Sequence, residues 1–294
     1  MIVVFVAGGP YYYYGDAILP DPLKKSINDR IDEALATASV DAGEFGGGTV
    51  TLTDGEAIFS TGSDGKNGFI KLGTPRAVVV RGDDADVVAL LNINGGGSGT
   101  FQLLTHFEYI GSERKVHEVE KVMLGDRIVV NDIKTEMIAP TQYEVFVSIL
   151  ERRVGEPMST PPSQSWVLNF ERTTEGLQMK ALIFDSVDNP DVVLVAPLPN
   201  QTISNAFIVQ GAARGPWYFE ASFPVTLQKP DGTVLNQTPA QAQGDWMTTE
   251  LVPFTATLVA PSTYHGPATL VIKKDNPSGL PKHDASIEIP IVIE

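Results

Sequence analysis

Short runs of β-branched and aromatic residues, separated by turns rich in glycine, proline and aspartate, recur along most of the 294-residue chain. Such runs are typical of β-strands with at least one buried face. The earlier runs lie at 77–80, 87–93, 101–109, 128–130, 143–150, 166–170 and 177–184, and the later ones at 206–209, 217–225, 233–235, 254–259, 268–272 and 286–292. This pattern predicts a mainly β protein.

One segment ahead of these runs has the period of a helix instead. Its apolar residues recur at intervals of three or four and therefore share one helix face, namely Leu23, Ile27, Ile31, Leu35 and Ala38. Residues 49–53 and 56–60 then flank an Asp-Gly dipeptide, which suits the two-residue turn of a β-hairpin. One helix followed by seven or more strands predicts an α+β domain over residues 21–190.

A second domain is expected at residues 196–294. Asn189-Pro190 and the prolines at 197 and 199 indicate a linker or domain edge before it. Six or seven short strands without a helical pattern then predict an immunoglobulin-like β-sandwich. Five residues of segment 217–225 alternate with more polar ones, namely Trp217, Phe219, Ala221, Phe223 and Val225. We therefore expect a single strand on which these five side chains face the core of the domain.

The last hundred residues also carry three motifs in order, GAARGPWYFEASFPV, GDWMTTELVPF and KKDNPSGLPKHDASIEIP. Together they resemble the bacterial spore-germination immunoglobulin-like domain. The resemblance implies an extracytoplasmic β-sandwich of envelope or lipoprotein-type proteins, with a binding or scaffold role and no known chemistry of its own. A weaker similarity, in GGGSGTF, MLGDRI and ERRVGEPMSTPPS, links the N-terminal part to an uncharacterised region of bacterial envelope proteins.

The first twenty residues are typical of the outer end of a membrane anchor. Residues 2–7 are apolar, and residues 11–14 are four tyrosines, as expected where a helix leaves the membrane interface. The alternative is a short buried strand followed by a loop. The net charge of -15 argues against nucleic acid as a partner, and the absence of cysteine excludes disulfides and thiolate metal sites. We therefore expect attachment to the membrane through the N-terminus and an extracytoplasmic location.

Five residues of the C-terminal domain are candidates for contact with an envelope protein or polymer. They are Arg214, Trp217, Glu220, Asp245 and Trp246. The charged members could instead form an ion pair beside a turn, and the two tryptophans could fill the core.

No motif indicates a catalytic site, a cofactor or a metal. The glycine-rich segment at 95–99 lacks the Lys-Ser/Thr ending of a phosphate loop and is interpreted as a hairpin turn. The acidic segment at 83–86 resembles a degenerate calcium loop, but no suitably spaced carboxylate completes it, which favours a turn. The four histidines have no ligand-like spacing. We expect a non-catalytic binding or scaffold protein; the alternative is an envelope hydrolase with its site in the N-terminal domain.

Overall fold

The computed structural model describes residues 12–14, 21–61, 65–139, 141–153, 155–184 and 187–294. These residues contain one α-helix, α1 (Asp21–Ala36), and twenty strands. The first twelve strands are β1 (Tyr12–Tyr14), β2 (Ser39–Asp41), β3 (Thr49–Thr51), β4 (Glu56–Ser60), β5 (Asn67–Arg81), β6 (Asp84–Asn94), β7 (Phe101–Ile110), β8 (Lys115–Asp126), β9 (Val129–Ala139), β10 (Gln142–Glu151), β11 (Gln164–Thr173) and β12 (Gly176–Phe184). The other eight are β13 (Val192–Ala196), β14 (Thr202–Ile203), β15 (Ala206–Arg214), β16 (Ser222–Gln228), β17 (Val234–Ala242), β18 (Leu251–Val259), β19 (Gly266–Lys273) and β20 (Ser286–Ile293).

The chain divides into two compact units. The first comprises Met1–Ile149 with Phe170–Gln178, and the second comprises Leu150–Asn169 with Met179–Glu294. The division passes through β10, β11 and β12. The boundary expected from the prolines at 190–199 therefore lies inside the second unit, and the domain limits 21–190 and 196–294 stay a prediction.

The first unit is built around a six-stranded sheet in the order β1–β5–β6–β7–β8, with β4 also paired to β5. Strand β1 is parallel to β5, whereas the remaining pairs of this sheet are antiparallel. Ile27, Ile31 and Leu35 of α1 are buried in one cluster with alternate residues of β5, β6 and β7. Because side chains alternate along a strand, the intervening residues, which include Asp86 and His106, lie on the opposite face of the sheet.

The second unit contains an antiparallel sandwich with the strand order β14–β20–β19–β16–β17–β18–β15–β13–β12, in which only the short β14 is parallel to its neighbour. Alternate residues of β13, β15, β16, β18 and β20 are buried, as the spacing of apolar residues predicts. Phe223 of β16 and Phe254 of β18 meet edge to face in this core, with ring centroids 5.0 Å apart.

The mainly β prediction is confirmed, and so is the apolar face of the helix. Ile27, Ile31, Leu35 and Ala38 are each at most 3% exposed, while the side chain of Leu23 lies outside the described residues. The finer expectation of an α+β first domain is not confirmed, since the part of the chain that the structure describes has a single helix of 16 residues.

The expected turn at Asp54-Gly55 is present, but the strands around it do not form a hairpin. Both residues have positive φ, 53° and 80°, and Thr53 pairs with Glu56 across the turn. Beyond that bridge β3 pairs with β2, and β4 pairs with β5. The turn residues fix the local reversal, whereas the apolar neighbours determine which strands pair.

Several strands lie outside the runs that the sequence pattern predicted, among them β8 and β13. Strand β8 is rich in charged residues, several of which are held in ion pairs, such as Lys121 with Glu118 at 2.8 Å. Strand β13 lies in the segment interpreted as a linker because prolines flank it, yet Val192 and Leu194 are fully buried. In β13 the flanking prolines obscured an apolar alternation, whereas β8 buries only Val116 and Leu124 among its charged residues.

The N-terminal expectations fall largely outside the described residues. Residues 2–7, the apolar part of the expected anchor, are among those not described. Tyr12–Tyr14, three of the four tyrosines, form β1 and pair in parallel with residues 78–80 of β5. In the described segments, we find no helix with the length and apolar character needed to span a membrane.

Candidate functional site

Three connections of the second unit meet at one end of its sandwich. They are residues 215–221 between β15 and β16, 243–250 between β17 and β18, and 274–285 between β19 and β20, together called the loop end below. Backbone hydrogen bonds join them: Gly215 N donates to Glu250 O at 3.2 Å, and Asp275 N donates to Trp217 O at 3.0 Å. All five residues expected to bind a partner lie in these connections or directly beside them.

Trp217 belongs to the core beneath the loop end. Its side chain is 4% exposed and lies edge to face with Phe223, at 6.3 Å between ring centroids. The neighbouring Tyr218 is equally buried, and its hydroxyl donates to Val252 O at 2.6 Å. Burial raises the pKa of Tyr218 to about 12. These aromatic rings form a rigid base for the connections, and Trp217 is not available to a partner.

The strand expected over residues 217–225 is wrong in its first half. Gly215–Trp217 forms a 3-10 turn, and β16 begins only at Ser222. Between them Glu220 and Ala221 have φ values of 49° and 61°, while Phe219 and Ser222 exchange backbone hydrogen bonds of 2.9 and 3.1 Å. This is a two-residue hairpin turn with positive φ at both central residues. As a result Phe219, expected in the core, is 41% exposed.

Arg214 is a structural residue that fastens β15 to two other segments. Its guanidinium donates to Pro190 O at 2.9 Å, to Thr249 O at 2.8 Å and to Asn189 Oδ1 at 2.5 Å. Among the residues that the structure describes, it forms no ion pair with Glu220 or Asp245. Both carboxylates are exposed, and Asp245 accepts a hydrogen bond from Met247 N at 3.0 Å.

Trp246 lies in an irregular connection and not on the inner face of the sandwich. It is half-buried, and its carbonyl together with that of Thr248 packs against Gly215. The next residue, Met247, is 77% exposed, and Leu280 of the third connection is 49% exposed. Phe219, Met247 and Leu280 are apolar surface residues that strand alternation could not find, because they lie in turns. The sequence offered one signal for the exposure of Met247, which is that turn-forming residues surround it.

The first unit holds a buried polar cluster that sequence spacing also missed. His106 has no exposed surface and Asp86 is 1% exposed, with His106 Nε2 and Asp86 Oδ1 3.2 Å apart. Arg172 Nε donates to His106 Nδ1 at 3.3 Å, and Glu120 Oε1 lies 3.6 Å from the same nitrogen. Arg81 pairs with the other side of this cluster through Asp86. The register of β6, β7 and β8 brings Asp86, His106 and Glu120 close together, and Arg172 of β11 completes the cluster from outside that sheet.

The hydrogen bonds of the cluster determine one tautomer of His106. A guanidinium Nε–H can only donate, so Nδ1 acts as the acceptor and Nε2 carries the proton that faces Asp86. Glu120 Oε1 is engaged as well, since it accepts a hydrogen bond from Leu177 N at 2.9 Å. The enclosure of the imidazole, at 0% exposure, makes the cluster a structural tie between strands and leaves it out of reach of a substrate.

The acidic segment at 83–86 does not form a calcium loop. Asp86 faces Arg81 and His106, while Asp84 Oδ1 accepts a hydrogen bond from Gly111 N at 2.9 Å. Over the described ranges, no three carboxylate or imidazole side chains are grouped as ligands of one ion. The glycine-rich segment at 95–99 is the connection between β6 and β7, as expected, and the side chain of Asn94 donates to Gly97 O at 3.1 Å within it.

One comparison with known proteins gives a match, and it lies within the second unit. No curated protein matches the chain, and no solved structure does. The model of one family, described as the immunoglobulin-like domain of bacterial spore germination, matches residues 191–279. The resemblance carried by the C-terminal motifs is therefore confirmed, and this segment is an immunoglobulin-like domain of that family.

Proposed function

We propose that this chain is a non-catalytic binding or scaffold protein of the bacterial cell envelope, and that the loop end is its binding surface. The observation that carries the proposal is the convergence of three connections on a rigid aromatic base, with Phe219, Met247 and Leu280 exposed. Immunoglobulin-like sandwiches gather their loops at two ends, and binding residues concentrate on loops held by a rigid scaffold.

Envelope location and N-terminal tethering are part of this proposal. The family description of residues 191–279 and the apolar segment at 2–7 support them. Cell fractionation of the protein expressed from its native gene is the direct measurement. Recovery in the membrane or surface fraction is expected, and recovery entirely with cytosol would contradict this part of the proposal.

The binding role is tested by capture on purified envelope polymers and envelope proteins. The variant Phe219→Ser/Met247→Ser removes two exposed apolar side chains without touching the core, so it should fold normally and lose retention. Ile58→Ser is the matched control, because Ile58 is 76% exposed but belongs to the first unit. Equal retention of both variants would show that the loop end does not bind.

The alternative of an envelope hydrolase gains no support from the site geometry. A general base must reach the proton that it abstracts. His106 and Asp86 form the arrangement closest to a catalytic pair, yet neither is more than 1% exposed. The five candidate residues of the second unit comprise two tryptophans, one bound arginine and two separate carboxylates, which together do not make an acid–base pair.

A further inference from the structure

One segment of the first unit is attached to two neighbouring side chains of β7 and β8. This segment, Phe170–Gln178, comprises the end of β11, the turn after it and the start of β12, and is called the 170–178 segment below. Arg172 Nε donates to His106 Nδ1 at 3.3 Å, and Leu177 N donates to Glu120 Oε1 at 2.9 Å. Because His106 Nδ1 and Glu120 Oε1 are themselves only 3.6 Å apart, the two attachments depend on each other.

His106 can hold the 170–178 segment in only one protonation state. In the neutral ring, Nε2 carries the proton that faces Asp86, and the lone pair of Nδ1 accepts the hydrogen bond from Arg172. A second proton would occupy this lone pair, so that the N–H of Arg172 would face another N–H instead of an acceptor. The imidazolium and the guanidinium would also repel each other. The bond from Arg172 therefore requires a neutral ring.

Glu120 is the acceptor available to a second proton on His106. Its Oε1 lies 3.6 Å from His106 Nδ1 and 3.8 Å from Arg172 Nε, so a small shift brings it within hydrogen-bonding distance of a protonated Nδ1. The new bond would compete with Leu177 N for the same oxygen. The turn has little room to follow, because a Cβ atom on Gly176 would already overlap the carboxylate of Glu120. One proton thus weakens both attachments.

The other ionisable groups near the ring do not provide a new partner for the displaced arginine. They come from β5, β6, β7 and β10, and are Arg81, Asp86, Glu108 and Tyr143. Asp86 is already paired with Arg81, and Glu108 is half-buried opposite Asp86 in the register of β6 and β7. Burial raises the pKa of the Tyr143 hydroxyl, which therefore stays neutral.

The balance of charge identifies the group that leaves. With a neutral ring, two carboxylates contact two guanidinium groups in this cluster. A second proton on His106 adds one positive charge to a buried place, which is costly unless another cation departs. Arg172 is the cation bound to the ring, and its side chain is 16% exposed, so it has a route to solvent.

We propose that the attachment of the 170–178 segment is acid-sensitive: a proton on His106 Nδ1 transfers the ring from Arg172 to Glu120 and releases the segment from β7 and β8. A proton that binds the released state more tightly shifts the population toward that state. Uptake of one proton changes the opening equilibrium by at most about tenfold for each unit of pH. The proposal concerns the first unit and does not depend on the binding role of the loop end.

Hydrogen–deuterium exchange of the full chain from about pH 8 to about pH 5, the range in which histidines titrate, tests the proposal. Each rate is divided by the intrinsic rate at the same pH, so that the remaining change reports local opening. The 170–178 segment should lose protection as the pH falls. Nitrogen NMR should show His106 changing over the same range from the Nε2–H ring to a doubly protonated one. A ring that stays neutral throughout, or protection that does not follow its protonation, would overturn the proposal.

A matched pair of histidine variants assigns the effect to one ring. His106→Gln keeps a donor and an acceptor but cannot gain a proton, so protection of the 170–178 segment should no longer depend on pH. His117→Gln is the control, because His117 is exposed and pairs with Glu113 on the surface, and it should behave like the unmodified chain. Equal pH dependence in both variants would refute the assignment to His106. The measurement on the unmodified chain stands even if His106→Gln does not fold.

A second control separates this effect from another group that titrates in the same range. Burial raises the pKa of Glu151, at the end of β10, to about 7. Glu151→Gln should leave the pH dependence of the 170–178 segment unchanged, since the exchange of partners occurs at His106. Loss of that dependence in Glu151→Gln would contradict the proposal.

Discussion

His106 has no exposed surface, and its two ring nitrogens face groups of opposite character. Nε2 faces the carboxylate of Asp86, and Nδ1 accepts a hydrogen bond from Arg172. Removing such a residue takes one polar partner each from Asp86 and Arg172, which costs more than the loss of a contact at the surface. The cluster therefore contributes to stability through the pairing of strands that are distant in sequence.

The first prediction concerns this histidine. His106→Leu should lower the free energy of unfolding by about 2–4 kcal/mol, because Asp86 and Arg172 each lose a hydrogen-bond partner. His117→Leu is the matched control, since His117 is exposed and pairs only with Glu113 on the surface, and its effect should stay within about 0.5 kcal/mol. Urea unfolding of both variants measures the difference. Equal effects would mean that the buried cluster does not stabilise the fold.

Glu151, at the end of β10, gives a prediction on pH. Burial raises the pKa of Glu151 to about 7 from its ordinary value of 4.5. The folded state thus binds the proton more tightly than the unfolded state, so this residue lowers the free energy of unfolding progressively as the pH rises from about 4.5 to about 7.

Glu151→Gln removes this dependence. The variant should match the unmodified chain near pH 4 and be more stable at pH 8, by up to about 3 kcal/mol. Urea unfolding at a series of pH values measures the gap between the two proteins. Glu220→Gln, at an exposed turn, controls for the loss of one negative charge. A gap that does not widen with pH, or widens equally for the control, would contradict the effect of burial.

At the scale of elements, Gly215 explains why the strand expected over 217–225 starts late. A Cβ atom on Gly215 would lie 1.7 Å from Thr248 O and 2.6 Å from Trp246 O, which are both backbone atoms. The connection at 243–250 therefore packs directly on the backbone of residue 215. With Pro216 next, the chain makes a 3-10 turn before β16 can begin.

Gly215→Ala should accordingly destabilise the second unit by at least about 2 kcal/mol, because neither carbonyl can move away like a flexible side chain. Gly97→Ala is the control: Gly97 is exposed in the connection between β6 and β7, and nothing lies within 4 Å of its Cβ position. Thermal unfolding followed by tryptophan fluorescence compares the two variants. A Gly215→Ala protein as stable as the control would show that the close approach can relax.

The sequence predicts elements well where one physical signal dominates. The helical period from Leu23 to Ala38 places Ile27, Ile31 and Leu35 in the core, and the Asp54-Gly55 turn follows from local backbone preferences. Prediction fails where tertiary contacts override the pattern, as at Phe219, whose alternation suggests a core position in a strand that has not yet begun. Patterns of neighbouring residues could not predict that residue 215 packs against a loop about thirty residues later in the chain.

The candidate site was harder to predict than the fold for the same reason. Arg214, Glu220 and Asp245 looked like one charged group, but the arginine is bound to carbonyl and amide oxygens, and the carboxylates point to solvent. The His106 cluster could not be found by spacing because its members come from positions 81 to 172, and they meet only through strand register and through the packing of β11.

At the scale of the whole molecule, acidic residues outnumber basic ones, 36 to 21, which gives a net charge of -15. High net charge opposes non-specific association, so retention of the chain on an envelope polymer should depend on a specific surface such as the loop end.

The most direct test of the proposed binding role is hydrogen–deuterium exchange of the full chain, measured with and without the envelope polymer that retains it. Binding at the loop end should slow exchange in residues 215–221, 243–250 and 274–285, and leave the first unit unchanged. The Phe219→Ser/Met247→Ser variant should show no such protection at the same polymer concentration. Protection confined to other segments, or failure of every envelope polymer and protein to retain the chain, would contradict the proposal that the loop end is the binding surface.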